Sequence, residues 1–321
     1  MRGLGPVTPL PPLAADDRPE DSLDLAPVAL FVYRRTDLLD QVLDALQACP
    51  EFETSPVFVF SDGPKSRAAE ADVKAVRRLL QRRRRTNMHI LEAASNQGLA
   101  HSIIGGVSQL TERYGRVIVL EDDLIVTPST LTWFNAALRY YDSDDRVMQV
   151  SGYMFDSPAL RRLHSGVLLP MTTSWGWATW KRAWDRFDPQ ATGWEALSTQ
   201  QGLRRQFDLG NRYPYSRMLE RQMRREIDSW AVRWYWSVFQ AEGLCLFPPR
   251  SHVKNLGQDA AATHPGALAW LRRFANRARS PLQTGVAPFP TEVAADLMAF
   301  RQVTAAIDRS PVARLLRFLG S

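Results

Sequence analysis

Three features of this 321-residue chain predict an α/β fold, a doubly wound, mostly parallel sheet flanked by helices. Short apolar runs alternate four times with helical-period segments over about a hundred residues, the rhythm of strand, crossover helix and strand. The runs are apolar at consecutive positions rather than every second one, as in strands covered on both faces. Two of them stop at acids: Asp62 follows one, and Glu121, Asp122 and Asp123 follow another. Open α/β sheets hold their ligands at such carboxyl ends.

Residues 1–26, with Pro6, Pro9, Pro11 and Pro12, lack apolar periodicity and are expected to form a disordered leader. Val-Ala-Leu-Phe-Val-Tyr at 28–33 reads as the first strand. Leu38, Leu39, Val42, Leu43 and Leu46 follow at helical spacing, with Thr36 or Asp37 as N-cap. The run at 57–60 leads into the turn Ser61-Asp62-Gly63-Pro64, and a helix over 68–85 closes on four arginines, which suit a helix C-terminus and a solvated face. A third strand at 88–91 precedes a turn at 95–101. Gly98 there opens a helix through Leu110, and its free N–H groups suit a diphosphate, although such turns also simply join strand to helix. The fourth strand, 117–120, carries the acid triplet. A helix over 129–141 and a fifth strand over 146–151 follow.

Beyond residue 151 the chain becomes less regular and much more aromatic, a half of different character. Trp177, Trp180 and Trp184, and again Trp230 and Trp234, are spaced to share helical faces, which predicts core packing. Trp175 and Trp177 flank Gly176 and are the candidates for lining a sugar pocket. A last strand at 244–247 precedes a polar loop at 251–259. Residues 266–321 read as a helical tail whose end, 311–319, is a basic amphipathic segment able to pack on its domain or lie on an anionic membrane.

A net charge of +6 and a pI near 9.6 suit anionic partners, whether nucleotide-sugars, acidic headgroups or nucleic acid. Cys49 and Cys245 are far apart and match no metal-ligand spacing, so a reduced, cytoplasmic protein is expected. No apolar window of the roughly 18 residues a membrane span needs occurs, and no signal-peptide pattern opens the chain. The expectation is a soluble protein or one peripheral to the inner membrane.

Three adjacent carboxylates at a strand end raise one another's pKa unless a cation intervenes. A hard divalent ion, Mn2+ or Mg2+, held by one or two carboxylates and shared with substrate phosphates resolves the repulsion. The plain alternative is an acidic turn that favours the helix starting near Ser129. Asp228 likewise has two readings: N-cap of a helix beginning at Ser229, or acceptor of a proton from an attacking hydroxyl.

Ordered blocks across residues 27–264 carry a family likeness. They are Val32-Tyr-Arg-Arg-Thr, Phe60-Ser-Asp-Gly, Asn96-Gln-Gly-Leu, Leu120-Glu-Asp-Asp, Trp175-Gly-Trp-Ala-Thr-Trp, Asp228-Ser-Trp, and His252-Val-Lys-Asn-Leu-Gly through Thr263-His264. In these the chain resembles bacterial GT-A-type nucleotide-sugar glycosyltransferases and is distantly similar to the N-acetylglucosaminyltransferase I group. The resemblance implies a domain over 27–265 that moves a hexosyl or N-acetylhexosaminyl unit from a nucleoside-diphosphate sugar, UDP favoured, to a glycan or lipid-linked acceptor with inversion, in cell-surface polysaccharide assembly. It makes the aromatic-rich half the acceptor side. It implies Asp123, with Asp122, as metal ligands, and Glu121 and Asp122 at the ribose or sugar. Asp62 would read the base, Tyr33 and Arg35 would contact the nucleotide or its phosphates, and Asn96, Gly98 and His101 would border the donor. Trp175, Gly176 and Trp177 would line the donor pocket, His264 would close over the diphosphate, and Asp228 would be the catalytic base. Tyr-Arg-Arg at 33–35 and the Ala-rich 259–262 depart from the family pattern, leaving base and sugar preference open. A nucleotidyltransferase would carry a Gly-rich loop after the first strand, where this chain has none. The rival outside enzymes is a non-catalytic binder of sugars, nucleic acid or anionic membrane.

Overall fold

The computed structural model describes residues 9–11, 25–256 and 282–309. Strands β1 (Val28–Val32), β2 (Val57–Ser61), β3 (Met88–Glu92) and β4 (Arg116–Glu121) pair in parallel in the order β3-β2-β1-β4. They are joined by helices α1 (Thr36–Gln47), α2 (Glu70–Arg83) and α3 (Leu99–Tyr114). The strand period of two explains the continuous apolar runs. Val28, Leu30 and Val32 enter one core with Leu39, Leu43 and Leu46 of α1, while Ala29 and Phe31 enter the other with Ile103 and Val107 of α3. The N-cap position of α1 is Arg35, one residue earlier than expected and without a side-chain cap, because a guanidinium has no acceptor to offer the first-turn N–H groups.

The chain continues through β5 (Leu124–Val126), α4 (Thr130–Tyr140), β6 (Val147–Ser151), β7 (Val167–Leu169), β8 (Trp177–Trp180), α5 (Lys181–Trp184), α6 (Ala196–Thr199), α7 (Gln201–Phe207), α8 (Tyr215–Met223), α9 (Trp230–Gln240), β9 (Leu244–Phe247) and β10 (Val253–Asn255). The main sheet extends as β4-β8-β6-β9-β7. β8 runs antiparallel to both its neighbours, β6 and β9 are parallel, and β7 is antiparallel to β9. The α/β, mostly parallel, helix-flanked sheet expected from the sequence is therefore the fold, with a mixed half beyond β4.

The tryptophan block corrects one expectation. Residues 177–180 form a strand, not a helix, so residues three apart point to opposite faces. Trp177 joins Trp184, Trp230 and Trp234 in one core. Trp180 lies in the other, its Nε1 donating to the Leu138 carbonyl at 3.0 Å. Trp180 is core, as its spacing predicted, by a different geometry, and Trp177 is core too, against its expected place in a sugar pocket.

The outer segments are also less detached than their composition implied. Within 1–26, the Leu10 N–H donates to Gln109 of α3 at 3.0 Å, and the Pro11 carbonyl accepts from Arg113 at 2.7 Å. Within 266–321, the helix Leu297–Arg309 places Ala299, Val303 and Ile307 in the core beneath β7 and β9. Tyr141 donates to the Pro290 carbonyl at 2.7 Å. Gly257 to 281 and the basic end at 311–319 lie outside the described residues. No helix among the described residues is long and apolar enough to cross a membrane.

His252, ahead of β10, is fully buried and stacked on Trp133 at 5.2 Å, with Nδ1 near the Thr127 hydroxyl and Nε2 without a partner. Burial lowers its pKa to about 3. Its folded pKa is depressed, so the stability it contributes is present above the unfolded pKa and is lost as pH falls from about 6.5 towards 3. His252→Phe, which keeps the stacked ring and removes the titration, is expected to flatten the slope of Tm against pH in that window. An unchanged slope would assign the acid sensitivity elsewhere.

Candidate active site

Strand order places the site. β1 lies between β2 and β4, and the connections leave it in opposite directions, the switch point at which α/β sheets open a crevice. Backbone bonds carry the register past the strand ends: the Asp62 N–H donates to the Val32 carbonyl at 3.1 Å, and the Asp122 N–H to the Phe31 carbonyl at 3.0 Å. Tyr33, Arg35, Asp62, Asp122 and Asp123 are thus brought to one rim.

Arg35 spans the acid pair. Its Nη2 donates to Asp122 Oδ1 and its Nη1 to Asp123 Oδ2 at 2.8 Å. The second Asp122 oxygen accepts from the Tyr33 N–H at 3.0 Å, and the Tyr33 hydroxyl accepts from the Lys65 N–H at 3.1 Å. Asp122 is buried, its side chain 4% exposed, whereas that of Asp123 is 13% exposed and keeps Oδ1 open. Burial, then Asp123 and Asp122, push the Glu121 carboxyl up to about 8. Burial also raises Asp122, against the pull of Arg35 and the Tyr33 N–H. With the Glu121 carboxyl held protonated at neutral pH, Asp122 and Asp123 share one guanidinium, two acids against one base.

Among the described residues no group of three or more His, Cys, Asp and Glu is arranged to hold an ion. A Mg2+- or Mn2+-type site needs only one or two carboxylates, the rest coming from water and phosphate. The donor set is all hard oxygen, with Asp123 Oδ1 as its accessible atom.

Asp62 organises the next turn. Its Oδ1 accepts from the N–H groups of Gly63 and Gln97, both at 2.8 Å; its Oδ2 accepts from Asn96 Nδ2 at 2.8 Å and the Gly98 N–H at 3.1 Å. Four donors fill the positions a carboxylate offers. Asp62 therefore clamps the 96–98 turn, and a base would have to displace one of these bonds to reach it. Beside it Phe60, Ser61, Leu91, Ala93, Gln97 and Ser102 line a small cleft open to solvent. A Cβ on Gly63 would fall 2.4 Å from the Ser95 carbonyl carbon, a backbone atom that cannot step aside. Gly63→Ala is expected to cost about 1–3 kcal/mol by overpacking and to loosen the turn. Denaturant midpoint and protease sensitivity near residue 97 measure both, and an unaltered midpoint counts against the clamp.

The turn meets Asp228. Gly98 is at φ +81°, and a Cβ built on it would lie 3.7 Å from Asp228 Oδ2. The expected capping role of Asp228 is overturned: Ser229 occupies the N-cap of α9, and its Oγ accepts from the Val232 N–H at 3.4 Å. Asp228 is left with its side chain 65% exposed and Arg233 Nη2 at 3.6 Å. Gln222 Oε1 accepts from the Ser229 N–H at 2.5 Å and fixes this register.

Other expected residues divide. His101 sits in the first turn of α3, beside this site. Trp175 is half-buried and edge-on to Tyr153 at 4.6 Å. Gly176, at φ +62°, is buried, with Val253 Cγ1 2.8 Å from where a Cβ would be. Trp177 is 0% exposed, so it is core and lines no pocket. His264 lies outside the described residues. Sequence reasoning missed β10, which pairs antiparallel with β5 immediately after the acid triplet and brings Asn255 opposite Leu124, with the Leu256 N–H on the Asp123 carbonyl at 2.8 Å. The polar loop there was the only signal of it.

No protein-family model matches the chain, and no curated protein matches it. Solved structures similar to it include a mannosyltransferase from Pyrobaculum calidifontis in complex with GDP-Man and Mn2+ (16% identity, 91% of this chain and 90% of that one, TM-score 0.36). Others are glucosyl-3-phosphoglycerate synthase from Mycobacterium tuberculosis with Mn2+, UDP and glucosyl-3-phosphoglycerate (10%, 50% and 58%, TM-score 0.33) and the galactosyltransferase LgtC with donor and acceptor sugar analogues (12%, 88% and 96%, TM-score 0.35). At these TM-scores the likenesses carry no assignment.

Proposed function

We propose that the chain is a GT-A-type glycosyltransferase that uses a nucleoside-diphosphate sugar, UDP favoured, and transfers the sugar with inversion to a hydroxyl of a glycan or lipid-linked acceptor. The observation that carries this reading is the approach of Asp228, uncapped and exposed, to the Gly98 turn held by Asp62, on the rim that also bears Asp122 and Asp123.

The residues divide the work as follows. Asp228 takes the proton of the acceptor hydroxyl as its oxygen attacks the anomeric carbon, while the bond from that carbon to the diphosphate oxygen breaks on the opposite face. The positive end of the α3 dipole and the guanidinium of Arg35 oppose the charge that develops on the diphosphate. Asp123, with Asp122, would hold Mn2+ or Mg2+. A bound divalent ion supplies neutralisation of the departing diphosphate. The Arg35 fork, which holds both carboxylates, has the geometry to bind phosphate as well.

Thermal-shift measurements with UDP-, GDP-, dTDP- and CMP-sugars, with and without Mn2+, test the donor half. A ligand that binds only the folded state raises Tm, so a Mn2+-dependent rise with one nucleotide class is expected. Absence of any rise across the four classes would refute the reading.

A further inference from the structure

α8 leads directly to Asp228, and its outer side is arginine. Arg217 and Arg221, four apart, share one face of α8, and Arg224 and Arg225 follow directly past its end. All four are exposed, while Ser216 and Leu219 are buried. Over residues 201–226 seven arginines face three acids, and one of these, Asp208, is buried, bonded to Ser216 and 3.7 Å from Arg204 Nε. Arg224 pairs with Glu220 at 2.6 Å and Arg221 with Glu226 at 3.2 Å, which still leaves a positive surplus.

A solvated basic face would need no further explanation, but the backbone adds one. Arg225 is held at φ +62°, just past the end of α8, with its N–H on the Gln222 carbonyl at 3.0 Å and the Glu226 N–H on the Arg221 carbonyl at 2.9 Å. Helices that close this way place glycine at the left-handed position, because any Cβ is crowded there. An arginine is kept where glycine would fit better. The turn is also fixed to the candidate base, through the 2.5 Å bond from the Ser229 N–H to Gln222 of α8.

We infer that the α8 stripe is an acceptor subsite and that the acceptor is anionic: a glycan whose phosphate or carboxylate groups lie along Arg217, Arg221 and Arg225 while its reacting hydroxyl reaches Asp228. Arginine forks bind both kinds of anion in paired hydrogen bonds. The inference deepens the transferase reading and rests on it for the role of Asp228. A membrane surface fits less well. An interfacial helix needs an apolar face to insert, and the α8 face that includes Leu219 is already packed in the core. None of the exposed large hydrophobic residues lies on α7 or α8.

The test measures binding to the full chain of four probes: oligo(glycerol phosphate), oligogalacturonate, neutral maltoheptaose, and phosphatidylglycerol vesicles. The expected result is at least about tenfold tighter binding of one anionic oligomer than of maltoheptaose, the worth of one charge-assisted hydrogen bond. Arg225→Gly and Arg217→Gln/Arg221→Gln should each weaken it about tenfold. Arg225→Gly should not lower Tm, which separates recognition from folding. Arg82→Gln/Arg84→Gln/Arg85→Gln, at the remote end of α2, should leave binding unchanged. Equal affinity for charged and neutral oligomers, no effect of Arg225→Gly, or equal loss in the α2 variant would overturn the inference. So would binding of vesicles through the stripe without binding of either oligomer. The Mn2+-dependent donor shift is read separately in every variant: its absence from the parent chain faults the transferase reading, while stripe binding reports on the anionic site.

Discussion

Asp228→Asn is expected to fold as the parent does and to lose transfer by about three orders of magnitude, within the range that a positioned general base contributes. The amide keeps the shape of the side chain and cannot take a proton from the attacking hydroxyl. The fold leans little on the charge: Ser229 caps α9, the carboxylate is 65% exposed, and Arg233, its side chain 12% exposed and 3.6 Å away, also donates to the Ser229 and Pro189 carbonyls. A pair at that distance with one partner in solvent adds little to stability. Single-turnover rate and Tm should therefore part, the first collapsing and the second holding. Transfer within a few-fold of the parent would remove Asp228 from the chemistry, and a parallel fall of Tm would return it to a structural role.

The first half of the sheet was legible because its signals are local. Buried parallel strands are apolar at every position, and the acids at 62 and 121–123 could not lie inside such strands, so their placement at the rim followed. What failed was information carried through space. Trp177 and Trp180 satisfy a helical spacing as well as a strand, and only pairing with β4 and β6 decides between them. Asp228 and Ser229 are both good caps, and the Gln222 side chain selects the register by one residue. The partnership of Arg35 with Asp122 and Asp123 joins residues nearly ninety apart in the chain and has no local trace. The Pro- and Gly-broken stretch near 290 resembles a tail, yet the aromatic ring of Phe289 rests on Trp133.

The two acids on Arg35 should answer substitution differently. Asp122 is buried with both oxygens engaged, by Arg35 and by the Tyr33 N–H, so Asp122→Ala leaves a half-buried guanidinium and a backbone donor short of their partner. Arg35 is 38% exposed and keeps Asp123, so the pair costs less to break than a buried one, while an orphaned buried donor costs about 1–3 kcal/mol, a sizeable share of the 5–15 kcal/mol that holds a typical domain. A clear drop in denaturation midpoint is expected. Asp123→Ala removes one arm of the fork and the open Oδ1, while Asp122 still anchors Arg35. That variant should keep most of its stability and lose both transfer and the Mn2+-dependent donor shift. Equal loss of stability in the two variants would make the triplet a structural ion-pair cluster. Retention of the metal-dependent shift in Asp123→Ala would move the ion away from Asp123. The geometry favours divergence, since only Asp123 combines solvent access with an uncommitted oxygen, and a carboxylate already saturated by the fold has less to offer an incoming ion.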